Sequence, residues 1–117
     1  MILPVRAPQV EQGLLVWAWL DPSVGREQSG RRPVIVIGGD GYLSTVESLA
    51  IVMPLTTTRR DWPNHVPVTP ADLLPEPSWI MTEQVRSISR DRLVEVIGKV
   101  TTHCLAEALR WLRDFTT

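Results

Sequence analysis

Residues Gly25–Thr58 read GREQSGRRPVIVIGGDGYLSTVESLAIVMPLTTT, and the fold turns on how this stretch is divided. A polar loop, Gly25–Arg32, runs into Pro33 and then Val34–Ile37, a β-branched run and the surest strand in the chain. Pro33 lacks an N–H and fits the first position of a strand. Gly38-Gly39-Asp40-Gly41 breaks the run, and Leu43–Ser48 reads as a polar connection. A second apolar run, Leu49–Leu55, ends in Thr56-Thr57-Thr58 and Arg59-Arg60. Pro54 inside it predicts an edge strand or a bulge, because it cannot donate to a ladder. Two strands therefore carry Arg, Glu, Gln and Thr at their ends, a residue set suited to binding and turning over a phosphodiester.

Outward from this stretch, short strands continue on both sides. Met1–Gln12 holds Pro4 and Pro8 without a period and reads as a loosely held arm. Gly13–Leu20, GLLVWAWL, is continuously apolar and too short for a typical helix, so it predicts a buried strand. Asp21-Pro22-Ser23 is a turn signal. His65–Thr69 alternates, contains Pro67 and predicts a short edge strand. Pro70–Pro77 is a loop with one helical turn at Ala71–Leu74. Ser78–Ile88 reads as one strand, with Glu83 on the face opposite Gln84 and Arg86. Neither of its faces is cleanly apolar, which leaves room for a polar site along it. After a turn at Ser89–Arg92, Leu93–Val100 is the last strand. Thr101 or Thr102 caps a final helix in which Leu105, Ala108, Leu109 and Leu112 form one stripe. Arg110 and Asp114, four apart, pair on its outside. The expected fold is mainly β: a small, strongly curved antiparallel barrel with a C-terminal helix.

Bulk properties narrow the class. At 117 residues the chain is expected to be one domain, 1–117, with the arm at 1–12. With 44% hydrophobic and 21% charged residues, long disorder is excluded. No apolar run approaches the ~20 residues of a membrane helix. The N-terminus lacks the charged-then-apolar pattern of a secretory signal, so the cytoplasm is the default location. The single cysteine, Cys104, rules out an internal disulfide and a cysteine-built metal site. Two histidines far apart do not suggest a His-ligated metal, and the common phosphate-loop, zinc-protease and nucleophile-elbow motifs are absent. No metal and no cofactor are expected. Net charge is −1, so there is no global basic footprint for nucleic acid. Position says more: the cations are arginines except Lys99, and Arg26, Arg31, Arg32, Arg59, Arg60 and Arg86 fall beside strand ends or turns. A guanidinium offers a planar fork suited to phosphate oxygens, although codon bias alone also enriches arginine.

Each candidate has a plainer reading beside it. Arg32, just before the Pro-led strand, can hold a phosphate through two parallel hydrogen bonds; a solvated loop Arg is the commoner case. Thr56 can donate to a phosphate oxygen, or simply reflect β propensity. Glu27 can be a general base, or a surface ion-pair partner of Arg26. Glu83, a charge in mid-strand, either pairs with an Arg or faces a site. His65 can act as acid or base near neutral pH, or be a loop residue beside Asn64. Trp62 can stack on a base, or pack as a lid on the barrel rim. Cys104 reads as a small buried apolar residue.

These blocks together resemble the MazF/PemK toxins, the endoribonucleases of bacterial toxin–antitoxin pairs. Val24–Ile37 looks like the family's signature loop and strand. Ile51–Thr56, Pro63–Val66 and Glu83–Ile88 follow in the family's order, and Gly13–Trp17 resembles its first strand. The resemblance implies an SH3-like barrel, a homodimer, an acidic MazE-like antitoxin partner and metal-independent, sequence-selective cleavage of single-stranded RNA. It implies that Arg32 is the essential Arg before Pro and Thr56 the essential strand-end hydroxyl. Glu27 and Gln28 match the loop acid and its neighbour, and Glu83, Gln84 and Arg86 match the third block. Arg26, Gln28, Arg31, Thr57, Arg59, Trp62, His65, Gln84 and Arg86 are the candidate RNA contacts. Either Glu27 or Glu83 is the base, with His65 a weaker candidate. The chain departs from the family pattern at Leu14, at Gly38-Gly39 and in Gly41–Ser48, positions that bear on RNA preference more than on chemistry. Two other classes fit a small barrel: a CcdB-like toxin that poisons DNA gyrase without catalysis, and a plain interaction module.

Overall fold

The computed structural model describes residues 10–20 and 30–117. Its strands are β1 (Leu14–Trp19), β2 (Arg31–Val36), β3 (Leu49–Thr56), β4 (His65–Pro67), β5 (Trp79–Met81), β6 (Arg86–Ser89) and β7 (Leu93–Lys99). Helix α1 spans Asp40–Thr45 and helix α2 spans Thr102–Thr116. The strands run β4-β5-β3-β2-β1-β7, with β6 also on β3, and every pairing is antiparallel. Among the described residues no ladder joins β7 to β4 or β6, so the sheet curls without closing. Gly13, at φ +92°, lets the chain enter β1 while its N–H bonds Val36 and its carbonyl accepts from Val100.

Period-two alternation divides the apolar side chains between two cores. Val16, Ala18, Val34, Val36, Ala50 and Val52 share one with Leu43 and Ile88. Leu15, Ile35, Met53, Leu55 and Ile80 share the other, which α2 covers with Cys104 and Ala108. The Thr101 hydroxyl caps α2 by accepting the Cys104 N–H at 3.1 Å. Leu105, Leu109 and Leu112 pack on the second core along the expected stripe, and Arg110 bonds Asp114 at 3.4 Å. Cys104 is buried, as expected, and burial pushes its thiol pKa up, which keeps it a poor nucleophile.

Three readings change. Leu43–Ser48 is not a polar connection throughout: Asp40–Thr45 is a helix with Leu43 buried. What fixes it comes from far along the chain. Arg90 is buried, and its guanidinium donates to the carbonyls of Leu43 (2.5 Å), Val46 (3.1 Å) and Leu49 (2.8 Å). The Leu43 and Val46 carbonyls lie at the helix end, where intrahelical donors run out, and the Leu49 carbonyl opens β3, so the guanidinium ties the helix end to the strand. Second, Pro54 lies in a central strand, not an edge. The Ile51 carbonyl accepts from Ile37 and Gly38, so Ile51 faces β2 and, by alternation, the Pro54 nitrogen faces the other way. There the β6 ladder has ended at Val52 and the β5 ladder begins at Leu55, so no donor is needed.

Third, Ser78–Ile88 is not one strand. A 3-10 turn at Thr82–Gln84 separates β5 from β6. Buried Thr82 causes the break: its hydroxyl donates to the Asn64 carbonyl (2.8 Å) and accepts from the Asn64 side-chain amide (3.1 Å). The bend lets one segment supply two ladders to the same edge of β3. The opposition of Glu83 to Gln84 and Arg86 across one strand therefore does not hold.

Candidate functional site

The site is built on a row of residues across four strands. Val34 pairs with Pro54, and continuing that register by two residues sets Arg32 opposite Thr56. Thr56 pairs with Trp79, and Trp79 with Pro67. Residues in direct register share a face, so Arg32, Thr56, Trp79 and Pro67 line up across β2, β3, β5 and β4. Arg86 stands on the same face, opposite Val52. Arg32 is exposed, and Thr56 is half-buried at the strand end. The Thr56 hydroxyl accepts the Thr58 N–H at 3.1 Å, and a hydroxyl that accepts can still donate to a phosphate oxygen.

Alternation sends the neighbours of this pair the other way. Arg31 is on the opposite face, bonded to Glu95 at 2.7 Å and lying 5.1 Å over the Trp17 ring. Thr57 lines a small cavity there with Trp17 and Pro33. Two adjacent pairs in the sequence, Arg31-Arg32 and Thr56-Thr57, are thus each split between faces.

Glu83 pairs with a histidine rather than an arginine. Both its carboxylate oxygens lie 3.1 Å from His65 Nε2, and one accepts from the Asn64 amide at 2.8 Å. Burial pushes the Glu83 pKa up, but the His65 hydrogen bond, a backbone hydrogen bond, the His65 charge and Asn64 outweigh it and bring the pKa below the ordinary glutamate value. His65 is no loop residue: its ring is buried, and Nδ1 has no hydrogen-bond partner among the described residues. Trp62 leans on that ring, centroids 4.8 Å apart, and is 48% exposed. Arg59 pairs with Asp61 at 2.8 Å, and Arg60 lies 5.9 Å from the Trp62 ring. Gln84 is exposed on the 3-10 turn. Arg26, Glu27 and Gln28 lie outside the described residues. Among the described residues, no three His, Cys, Asp or Glu side chains are placed to hold a metal ion.

Sequence reasoning did not single out Asn64 or Trp79. Asn64 gives no signal by spacing, because its role depends on Thr82 and Glu83, 18 and 19 residues away. Trp79 follows three prolines within Pro70–Pro77 and reads as an ordinary strand aromatic until the register places it beside Thr56.

Comparison with known proteins shows the family and the fold. A family model described as PemK-like, MazF-like toxin of type II toxin–antitoxin system matches residues 11–116. The chain is 32% identical to endoribonuclease EndoA of Bacillus subtilis over 90 residues, covering 75% of this chain and 78% of that one. It is 30% identical to endoribonuclease MazF2 of Mycobacterium bovis over 110 residues, covering 89% and 94%. The structure matches a MazE–MazF crystal structure from Deinococcus radiodurans with a TM-score of 0.77 and 29% identity, covering 92% and 95% of the two chains.

Proposed function

This chain belongs to the PemK-like, MazF-like toxins of type II toxin–antitoxin systems, and from that premise we propose that it is an endoribonuclease acting on single-stranded RNA. The observation that carries the reading is the β2–β3 register, Val34 against Pro54, which continued by two residues sets Arg32 opposite Thr56 on one face. A guanidinium fork and a hydroxyl there can hold the two non-bridging oxygens of one phosphate and stabilise the charge that builds on them. Arg32 acts as a hydrogen-bond donor, since guanidinium keeps its proton. Neither a gyrase-poisoning toxin nor a plain interaction module needs this pair.

The reaction is a transesterification. The ribose 2′-oxygen forms a bond to phosphorus as the bond to the 5′-oxygen breaks. A base takes the 2′ proton, and a proton goes to the departing 5′-oxygen. A carboxylate with a lowered pKa, engaged by His65 and Asn64, is a weak proton acceptor, so Glu83 serves as a positioning residue. Glu27, the loop acid of the signature stretch, is the base this reading favours over Glu83 and His65. Arg86, on the same face as Arg32, contacts the RNA backbone.

The chain works in the cytoplasm as a homodimer, in a single domain, and a small acidic antitoxin holds it in check. One solved relative is a MazE–MazF pair. Among the described residues no helix is long and apolar enough to cross a membrane.

A defined RNA tests the chemistry. Cleavage persists in EDTA and leaves a 2′,3′-cyclic phosphate and a 5′-hydroxyl. Deoxyribose 5′ of the scissile phosphate blocks cleavage and permits binding. A 5′-phosphate product by mass spectrometry, or cutting at the deoxy position, overturns the mechanism.

A further inference from the structure

We propose that the cavity beside Trp62 and Trp79 is a nucleobase subsite, which takes the base of a nucleotide adjacent to the phosphate held by Arg32 and Thr56. The proposal rests on the ribonuclease reading and adds to it a place where sequence is read. The cavity is about 360 Å³, and both indoles line it, together with His65, Pro67, Arg60 and the Arg59–Asp61 ion pair. Its position follows from the sheet. Trp79 is the direct cross-strand partner of Thr56, and Pro67 that of Trp79, so the cavity is the next step along the same row. One strand spacing, ~4.8 Å, separates the Thr56 backbone from that of Trp79. A base attached to a phosphate at Thr56 is therefore within reach of it.

The lining has the composition of a single-strand platform, with aromatic faces for a base and guanidinium groups for the adjoining backbone. It is also preformed. Trp62 is 48% exposed, yet the buried His65 ring sits 4.8 Å beneath it at an interplanar angle of 44°. His65 is in turn held by Glu83. The loop carrying Trp62 turns at Asp61, whose φ is +58°, and the Arg59–Asp61 ion pair spans that turn. An exposed indole fixed in this way loses little freedom when a base stacks on it. The chain Asn64–Glu83–His65–Trp62 thereby acquires a purpose: it sets the height and tilt of the platform.

The test uses short RNAs made uncleavable by deoxyribose at the attacking position, each with one abasic site, and measures binding to wild type, Trp62→Ala and Trp62→Phe. Removing the base next to the scissile phosphate weakens wild-type binding about ten- to hundredfold. Trp62→Ala loses that dependence at the same position, and Trp62→Phe retains most of it. Equal loss in wild type and Trp62→Ala at every position overturns the subsite. A second arm maps cut sites in a random RNA library. Trp62→Ala still cuts but relaxes the preference at one position beside the cut. An unchanged motif with unchanged KM in Trp62→Ala also rejects the proposal. A wild-type protein that cuts nothing in the library sinks the ribonuclease reading instead, and the binding arm still decides the subsite.

Discussion

At the scale of single residues, function reduces to which side of a strand a side chain takes. Arg32 and Arg31 are adjacent and chemically identical, yet one faces the open row and the other is tied to Glu95. Arg32→Ala and Thr56→Ala each lower the single-turnover cleavage rate by about 10²–10³-fold while circular dichroism stays unchanged. Arg31→Ala leaves the rate within a few-fold of wild type. Glu83 gives a pH signature. Its pKa is lowered in the folded state, so its contribution to stability is present above the ordinary glutamate value and is lost as pH falls through the folded value. Thermal melts of wild type and Glu83→Gln therefore differ most near neutral pH and converge in acid; a gap that widens in acid refutes the assignment. The placement of Arg32 and Thr56 at strand ends was legible from the Pro-led run and from the close of the second apolar run. The pairing of Glu83 with His65 was not, because the two are 18 residues apart and meet only through β4 and the 3-10 turn.

At the scale of elements, the strands with strong local signals stand where the sequence puts them. Val34–Ile37 is β-branched throughout, and β2 takes in all of it but Ile37. The misread elements are those fixed by distant partners. Helix α1 has six residues, one of them Gly41, too few to hold itself as a helix. The Arg90 guanidinium completes it from 47 residues away. Arg90→Met removes those donors and leaves the buried Leu43 carbonyl without the guanidinium, which costs about 2–4 kcal/mol. Urea unfolding of this variant measures the loss, and a change below about 0.5 kcal/mol denies Arg90 the role. Ser78–Ile88 passed for one strand because a 3-10 turn of three residues hardly disturbs a period-two pattern. Its mixed faces were the available clue, and Thr82 burial is the cause.

At the scale of the whole molecule, the sheet is left open at its edges and exposes apolar side chains. Of the two tryptophans on β1, Trp17 is packed against the second core, and Trp19 is 46% exposed. On neighbouring β7, Val96 is 45% exposed. The edge of β7, which pairs no further strand among the described residues, calls for a partner, and a second copy is the usual one. Light scattering at micromolar concentration reports twice the chain mass, and a mass of one chain counts against the dimer. The fold class was readable from strand spacing, turn residues and the α2 stripe. The sharing of one β3 edge between β6 and β5 was not, because Pro54 looks the same in sequence whether it blunts an edge or fills a gap between two ladders.

That gap has an evolutionary consequence. The grip on phosphate belongs to the junction of β2 and β3, while Trp62, Asp61 and their neighbours sit on a loop that no ladder constrains. A descendant of this chain can exchange loop residues and come to cut a different message without disturbing the cutting itself. Chemistry and target choice are free to drift at different speeds, so paralogues sharing Arg32 and Thr56 should differ most between Arg59 and Trp62.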